Sequence, residues 1–252
     1  MAIQRRRFCG LLGLPALGLA VGRVLPAAAQ EPAAGAAGPR RRWAMVVDVA
    51  RCLKQEGCDK CTKACHARHN VPEIGGGKDE VKWIWKEPLR DALPDELDSY
   101  APRPLRDGTA VVFCNHCANP PCVRVCPTQA TWKRADGVVM MDWHRCIGCR
   151  YCVAACPYGS RSFNWRDPRP FLKAVDPGFP TRTRGVVEKC NLCEERLARG
   201  ERPACVEACG EKALVFGDLE DADSEVRRIL GERPARRRKP GLGTEPSVYY
   251  LL

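Results

Sequence analysis

The stretch "CIGCRYCVAACP", from Cys146 to Pro157, holds four cysteines with the spacing C-x2-C-x2-C-x3-C-P. Three further groups of four cysteines have related spacings, and every group ends in C-x3-C. The chain of 252 residues contains 17 cysteines, and only Cys9 lies outside the four groups. The cysteines therefore organise this protein, and their spacing must indicate what they bind.

The four groups follow one another along the chain, and groups two and three are each followed by a proline. Group one departs from the other three, because it opens with C-x5-C instead of C-x2-C. In chain order the members are Cys52, Cys58, Cys61 and Cys65 in group one; Cys114, Cys117, Cys122 and Cys126 in group two; Cys146, Cys149, Cys152 and Cys156 in group three; and Cys190, Cys193, Cys205 and Cys209 in group four.

Three kinds of site compete for cysteines at such spacings. Disulfides are disfavoured, because cysteines two residues apart on a tight loop have poor geometry for a bridge. Structural zinc sites usually take two C-x2-C pairs for each ion. Three close cysteines followed by C-x3-C-P are typical of bacterial ferredoxins, where the fourth cysteine binds the other cluster of a pair. The sequence therefore predicts [4Fe–4S] clusters, with iron bound through all sixteen group cysteines.

The repeat predicts which cysteines share a cluster. Groups two and three lie close together and both end in Cys-Pro, so we expect them to form one two-cluster unit, and groups one and four to pair across the chain. The expected ligand sets are Cys114, Cys117, Cys122 with Cys156; Cys146, Cys149, Cys152 with Cys126; Cys52, Cys58, Cys61 with Cys209; and Cys190, Cys193, Cys205 with Cys65. Without Cys52, whose loop is the unusual one, the third of these clusters would hold three irons.

The amino terminus predicts export. Arg5 and Arg6, with Phe8 two places after them, resemble a twin-arginine signal, and an apolar stretch over 11–25 is followed by the expected cleavage after Ala29. That stretch is broken by glycine and proline and is too short to span a bilayer well. Twin-arginine export carries folded proteins, which suits clusters assembled in the cytoplasm. We therefore expect a periplasmic protein that partners hold at the inner membrane.

Composition narrows the function classes. The chain has a net charge of +11, but nucleic acid is a poor partner for an exported protein. With 22 glycines, 21 prolines and short apolar runs, the chain is expected to be loop-rich and to lack a large hydrophobic core. No nucleophile–base set is recognisable, so we expect neither a catalytic residue nor a small-molecule substrate. The histidines near the cysteine groups (His66, His69, His116 and His144) are not needed as ligands.

The sequence predicts an α+β fold of paired ferredoxin-like repeats around four clusters. We expect a signal at 1–29, a linker at 30–41, a four-cluster domain at 42–217 and a helix with an extended tail at 218–252. Within the domain, an inner unit covers 110–165 and an outer unit joins 42–66 to 185–217. Short strands at 45–49, 110–113, 138–142 and 185–187 should lead into the four groups, and 212–219 should form a return strand.

Segments outside the repeats leave several alternatives. The insertions 66–113 and 157–189 carry aromatic residues that either cover the clusters, which we favour, or dock a partner. A short helix is expected at 223–230. The basic run 236–239 is expected to be solvated. The last eleven residues form an arm that grips a partner or packs on its own domain.

The order of four cysteine groups behind a twin-arginine signal resembles the four-cluster ferredoxin subunits of bacterial membrane redox complexes. The stretches 69–87, 114–171 and 185–219 are similar to the DsrO family, the periplasmic iron–sulfur subunits of the Dsr complexes of sulfur metabolism. This resemblance implies an electron-transfer subunit without its own catalytic site. It also implies a multi-pass NrfD-like quinone-interacting membrane protein, a haem c protein and other Dsr subunits as partners.

Two rivals to the Dsr assignment remain at this point. The first is the electron-transfer subunit of a molybdopterin reductase, in tetrathionate, polysulfide or nitrite-linked respiration. The second belongs to another class, an exported binding module stabilised by zinc or disulfides.

Overall fold

The computed structural model describes residues 41–96 and 100–252. The predicted twin-arginine signal, and all but the last residue of the predicted linker, lie outside the described residues. The division of the chain into the four predicted segments therefore stays a prediction.

The described chain contains nine short strands and nine short helices joined by long stretches of turn and loop. The strands are β1 Trp43–Asp48, β2 Ile84–Pro88, β3 Thr109–Phe113, β4 Thr131–Lys133, β5 Val139–Met141, β6 Ser162–Phe163, β7 Val187–Glu188, β8 Leu214–Asp218 and β9 Val248–Leu251. The helices are α1 Val49–Leu53, α2 Lys60–Arg68, α3 Leu89–Ala92, α4 Arg103–Arg106, α5 Pro121–Arg124, α6 Tyr151–Ala154, α7 Glu194–Leu197, α8 Ala204–Glu207 and α9 Glu225–Glu232. The loop-rich α+β character agrees with the fold class expected from the sequence.

The strands form four small sheets. One sheet has three strands in the order β8-β1-β9, and the others are the antiparallel pairs β2-β3, β4-β5 and β6-β7. In the three-stranded sheet β8 runs antiparallel to β1, with Val46 opposite Val215, whereas β9 runs parallel to it. The carboxyl-terminal arm therefore packs on its own domain, the second of the two alternatives left open above.

Each cysteine group is entered from a short strand, as the sequence predicts. β1 precedes group one, β3 precedes group two, β5 precedes group three and β7 precedes group four. β8 is the expected return strand, and α9 is the expected carboxyl-terminal helix, displaced by two residues. Ser224 caps α9 by accepting a hydrogen bond from the Arg227 amide, which explains where that helix begins.

The apolar core is larger than the short hydrophobic runs predict. Its main cluster of buried residues draws on β1, β2, β3, α2, α3 and the ends of both insertions, with Trp83 and Tyr250 fully buried inside it. Individual runs are short because each element contributes only a few residues to the core. The expectation of a minor core was therefore wrong: distant segments of the chain combine to form it.

The prediction of a solvated basic run at 236–239 is also wrong in its second half. Arg238 is only 1% exposed, its Nε donates to the Ala92 carbonyl at 3.0 Å, and its Nη2 lies 2.9 Å from a Glu87 carboxylate oxygen. Lys239 donates from Nζ to the Pro157 carbonyl at 2.8 Å. These contacts attach the basic run to both insertions.

None of the described helices has the length and apolarity needed to cross a bilayer.

Candidate metal centres

All four cysteine groups share one backbone turn at their second cysteine. The residue directly before that cysteine has a positive φ in every group: 70° at Gly57, 41° at His116, 71° at Gly148 and 61° at Leu192. This left-handed conformation is uncommon for residues other than glycine, so its recurrence marks a structural repeat. The C-x5-C loop of group one therefore ends in the same turn as the three C-x2-C loops.

Of these four positions, only that of Gly148 has no room for a side chain. A Cβ atom on Gly148 would lie 2.4 Å from the Gly185 carbonyl oxygen, which is too close for any side chain. His116 and Leu192 carry side chains in the same conformation. Glycine content alone therefore could not have revealed this turn in the sequence.

The third cysteine of groups two, three and four lies in a one-turn helix, and the fourth lies two residues beyond its end. α5 contains Cys122 and precedes Cys126, α6 contains Cys152 and precedes Cys156, and α8 contains Cys205 and precedes Cys209. In group one both Cys61 and Cys65 lie inside the longer helix α2. The helical turn carries the fourth thiol away from its own loop.

Site C is the name we give to Cys114, Cys117, Cys122 and Cys156, which the structure brings together. Burial raises the pKa of Cys117 to about 12, and the neighbouring thiols of Cys114, Cys122 and Cys156 contribute to that rise. Cys156 belongs to group three, whereas the other three thiols belong to group two. The structure thus places the fourth cysteine of one group beside its partner group.

Site D comprises Cys126, Cys146, Cys149 and Cys152, and all four line one small cavity. Cys126 comes from group two and the rest come from group three. The buried apolar residues Ala130, Met141 and Val187 also line this cavity.

Site B comprises Cys65, Cys190, Cys193 and Cys205. Burial raises the pKa of Cys65 well above 9.0, and the nearby thiols of Cys190, Cys193 and Cys205 raise it further. Cys65 comes from group one, so this contact joins the first and last cysteine groups.

Site A comprises Cys52, Cys58, Cys61 and Cys209. Burial raises the pKa of Cys61 to about 11, and Cys52 and Cys209 add to the rise. Burial also raises the pKa of Cys52, and the nearby thiols of Cys209 and Cys58 raise it further. Cys52 is therefore in place as a candidate fourth ligand, despite the unusual spacing of its group.

The thiols of the four sites approach one another in the order A, B, C, D. Sites A and B meet where Cys61 approaches Cys65 and Cys205. Sites B and C meet where Cys190 approaches Cys114. Sites C and D meet where Cys122 approaches Cys152. The order A–B–C–D cannot be deduced from the order of the groups along the chain.

The donor chemistry of these sites fits iron–sulfur clusters. All sixteen group cysteines are free thiols that are buried or half-buried in the structure. Backbone amides are directed at several sulfurs: the Leu192 amide lies 3.3 Å from Cys190 Sγ, and the Ala213 amide lies 3.3 Å from Cys209 Sγ. Thiolates are the soft ligands that iron–sulfur clusters require, and amide donors stabilise their negative charge.

Aromatic residues from both insertions pack beside site B. Trp83 is fully buried and stacks on His69 with ring centroids 4.7 Å apart, while Phe179 meets His69 edge-on at 4.7 Å. The Nδ1 of His69 lies 2.9 Å from the Cys65 carbonyl oxygen, and its Nε2 lies 3.1 Å from a Glu195 oxygen. These rings cover the site, as expected, whereas Trp165 in the second insertion is 41% exposed.

Three buried cations near the sites carried no signal in the sequence. The Nζ of Lys189 donates to the Val139 and Cys190 carbonyls. Burial of the Cys114 thiol by itself would raise its pKa, but the nearby Lys189 ammonium and His116 outweigh burial and lower the pKa of Cys114 to about 5. Arg161 lies between sites C and D, and Arg182 lies within the aromatic cluster. Lys189 directly precedes Cys190, but only the fold brings it to Cys114 and brings Arg161 to Cys122.

Comparisons with known proteins agree with this chemistry. Two families described as "4Fe-4S dicluster domain" match residues 110–169 and 145–199. The chain is 44% identical over 233 residues to the Hdr-like menaquinol oxidoreductase iron-sulfur subunit 1 of Archaeoglobus fulgidus, with 84% of this chain and 83% of the relative covered. It is 37% identical to one of the subunits of the tetrathionate reductase of Salmonella typhimurium, with 84% and 73% covered. It is 35% identical to the menaquinone reductase iron-sulfur cluster-binding subunit of Nitratidesulfovibrio vulgaris, with 83% and 88% covered.

The fold and its thiol sites thus define an iron–sulfur protein that contains two units of the two-cluster ferredoxin type in one chain. The chain belongs to the family of 4Fe–4S electron-transfer subunits of oxidoreductase complexes. Within that family it is an electron-transfer subunit and not the catalytic one. Its cofactors are [4Fe–4S] clusters, and sixteen cysteines supply the ligands of four such clusters.

Proposed function

We propose that this chain is the electron-relay subunit of a quinone-linked membrane redox complex, with its clusters held by sites A, B, C and D. Bound [4Fe–4S] clusters accept and release single electrons. The observation that carries the proposal is the series A–B–C–D, in which thiols of each site lie near enough to thiols of the next to interact electrostatically. Such a series is what a relay between two separate redox partners needs.

The protein's own residues hold the series in place. The crossed fourth cysteines tie group two to group three and group one to group four, so site A cannot separate from site B, nor site C from site D, without disrupting a ligand set. The buried aromatic cluster of Trp83, His69 and Phe179 keeps water from site B. Exclusion of water and hydrogen bonds to sulfur are the principal means by which a protein sets cluster potential.

The two ends of the series differ in their surroundings. Around site D several large apolar side chains are exposed, among them Ile147 at 67% and Tyr151 at 62%. Site A is flanked by the exposed, polar loop that joins Cys52 to Cys58. We propose that a partner subunit covers site D, since exposed apolar clusters mark interaction surfaces.

Two complexes are candidates for the partner assembly. The resemblance of 114–171 and 185–219 to the DsrO family favours a Dsr complex with an NrfD-like membrane protein and a haem c protein. The similarity to a tetrathionate reductase subunit and to two menaquinone-linked iron–sulfur subunits supports a molybdopterin reductase or another quinol-linked complex at least as well.

Purification of the intact complex through a tag on this chain tests the proposal. We expect a multi-pass membrane protein to copurify, and a menaquinol analogue to bleach the visible absorption of the clusters. Haem c without molybdenum favours the Dsr assignment, whereas stoichiometric molybdenum favours the reductase. A chain that purifies alone and is not reduced by quinol in the presence of native membranes would contradict a quinone-linked relay.

Export by the twin-arginine route remains part of the proposal. Replacing Arg5 and Arg6 together by lysine is expected to leave cluster-loaded precursor in the cytoplasm, because that route recognises the arginine pair. Fractionation and immunoblotting measure the distribution. Arg7→Lys is the matched control and should be exported normally. Periplasmic delivery of the double variant at the wild-type level would argue against twin-arginine export.

A further inference from the structure

Arg161 is a buried cation at the boundary between sites C and D. Its side chain belongs to a residue only 4% exposed. Its Nη2 donates to Cys122 Sγ at 3.1 Å and to Thr131 Oγ1 at 2.8 Å, while Nη1 lies 3.7 Å from Met141 Sδ. Arg161 is also close enough to Cys152, in site D, to interact with its thiol electrostatically. One guanidinium therefore faces ligands of two neighbouring sites.

Arg161 has no carboxylate partner among the described residues. Buried Arg182 provides the contrast, since its Nη2 lies 2.6 Å from a Glu188 oxygen. A guanidinium keeps its charge in proteins, and a buried charge is tolerated only when something compensates it. The hydrogen-bond partners of Arg161 are sulfur and hydroxyl groups, so its compensating charge has to come from the thiolates of sites C and D and from what they bind.

The structural repeat shows that this charge is specific to one position. Arg161 is the fifth residue after the last cysteine of group three. The corresponding residues are Asn70 after group one, Thr131 after group two and Leu214 after group four, and all three are buried and uncharged. Arg161 and Thr131 meet through their hydrogen bond, whereas neither equivalent position of the outer unit carries a charge. The inner unit therefore contains a buried charge that the repeat itself does not require.

We propose that Arg161 is a positioning residue for electron transfer, whose fixed positive charge raises the reduction potentials of the clusters held by sites C and D. A nearby positive charge favours the form that carries the additional electron, and the low dielectric of a buried site strengthens that interaction. Because Arg161 lies between the two sites, it also reduces the repulsion between two adjacent reduced clusters. The inference rests on the proposed cluster sites, and it concerns potential and not the identity of the partner complex.

The test compares three variants of the cluster-loaded chain by potentiometric titration followed by electron paramagnetic resonance. Arg161→Met removes the charge and keeps much of the length, while Arg161→Lys keeps the charge. Arg145→Gln is the matched control, because Arg145 directly precedes Cys146 of site D but its side chain is 65% exposed and paired with Asp142. Signals of the inner sites are assigned with Cys117→Ser and Cys149→Ser.

We expect Arg161→Met to lower the ratio of reduced to oxidised cluster at sites C and D by at least about tenfold at a fixed potential, which is about 59 mV for one electron. Arg161→Lys should keep most of the wild-type ratio, because it keeps the positive charge. Arg145→Gln should titrate like the wild type, because solvent screens an exposed charge. The signals of sites A and B should not move in any of the three.

Two results would overturn the inference. One is a wild-type titration of sites C and D in Arg161→Met with iron content intact. The other is an equal fall in Arg161→Lys, which would mean that shape and not charge matters. If Arg161→Met loses iron, Arg161→Gln is titrated against the same tenfold criterion. Failure of the proposed function would give a different result: quinol would not reduce the clusters of the wild-type chain in native membranes.

Discussion

Cys156→Ser is expected to damage the cluster of site C and to spare that of site D. Cys156 belongs to group three, but it lies beside Cys117 and Cys114 of group two. Serine oxygen is a harder and poorer ligand for this iron than thiolate sulfur. Iron content should fall from about 16 per chain to about 15 if one iron is lost, or to about 12 if the whole cluster is lost.

The spectra of four variants decide the outcome. Cys156→Ser should reproduce the change seen in Cys117→Ser, and Cys126→Ser should reproduce that of Cys149→Ser. If Cys156→Ser instead matches Cys149→Ser and leaves the Cys117 cluster untouched, ligation is local to each group. The paired-ferredoxin arrangement of sites C and D would then be wrong.

Arg182→Met is expected to destabilise the folded chain by about 3–5 kcal/mol, the usual cost of breaking a buried ion pair. Arg182 and Glu188 have fully buried side chains, with Nη2 and the carboxylate 2.6 Å apart. Arg182 also donates to the backbone carbonyls of His69 and Asn70 at 2.5 and 2.7 Å. Methionine would leave the carboxylate of Glu188 buried, with Trp83 and Asn164 as its remaining donors among the described residues.

Chemical denaturation of the cluster-loaded variants, with iron release followed in parallel, measures this effect. The double variant Arg182→Met with Glu188→Met should be less destabilised than Arg182→Met alone, because it leaves no unpaired charge. Arg169→Met, at the exposed pair with Asp167, is the matched control and should unfold like the wild type. Equal loss of stability in the single and double variants would show that the hydrogen bonds of Arg182, and not its charge, stabilise this region.

Arg182 also links the stability of the fold to the integrity of site B. Its guanidinium lies against the rings of Trp83, Trp143 and Phe179, at 5.4 to 5.7 Å from their centroids. Trp83 comes from the first insertion, Phe179 and Arg182 come from the second, and Trp143 lies just before group three. One buried cation thus ties both insertions to the cysteine groups, and its loss should loosen site B together with the fold.

The elements that the sequence predicted well are local ones. Each cysteine group lies within one continuous stretch of at most twenty residues, so the sixteen thiols, their iron–sulfur chemistry and the strands leading into them could be read directly from the sequence. The left-handed turn before each second cysteine was less visible, because His116 and Leu192 occupy it as well as glycine. Local sequence reveals a turn of this kind only where the residue type is restricted.

The basic run and the core show where sequence reasoning failed. Nothing in 236–239 distinguishes Arg238 from its exposed neighbour Arg236, because burial of Arg238 depends on Glu87 and Ala92, about 150 residues away. The core was underestimated for the same reason, since each short apolar run is buried by partners that are remote in the sequence.

By itself the sequence determined the class of cofactor, the number of cysteine groups and the electron-transfer character of the chain, because ligand spacing is a property of consecutive residues. Only the tertiary structure decided the order A–B–C–D and placed Lys189 between sites B and C and Arg161 between sites C and D. Those features depend on contacts between segments far apart in the chain. The electrostatic environment of a buried site is the sum of such contacts, and no local pattern encodes it.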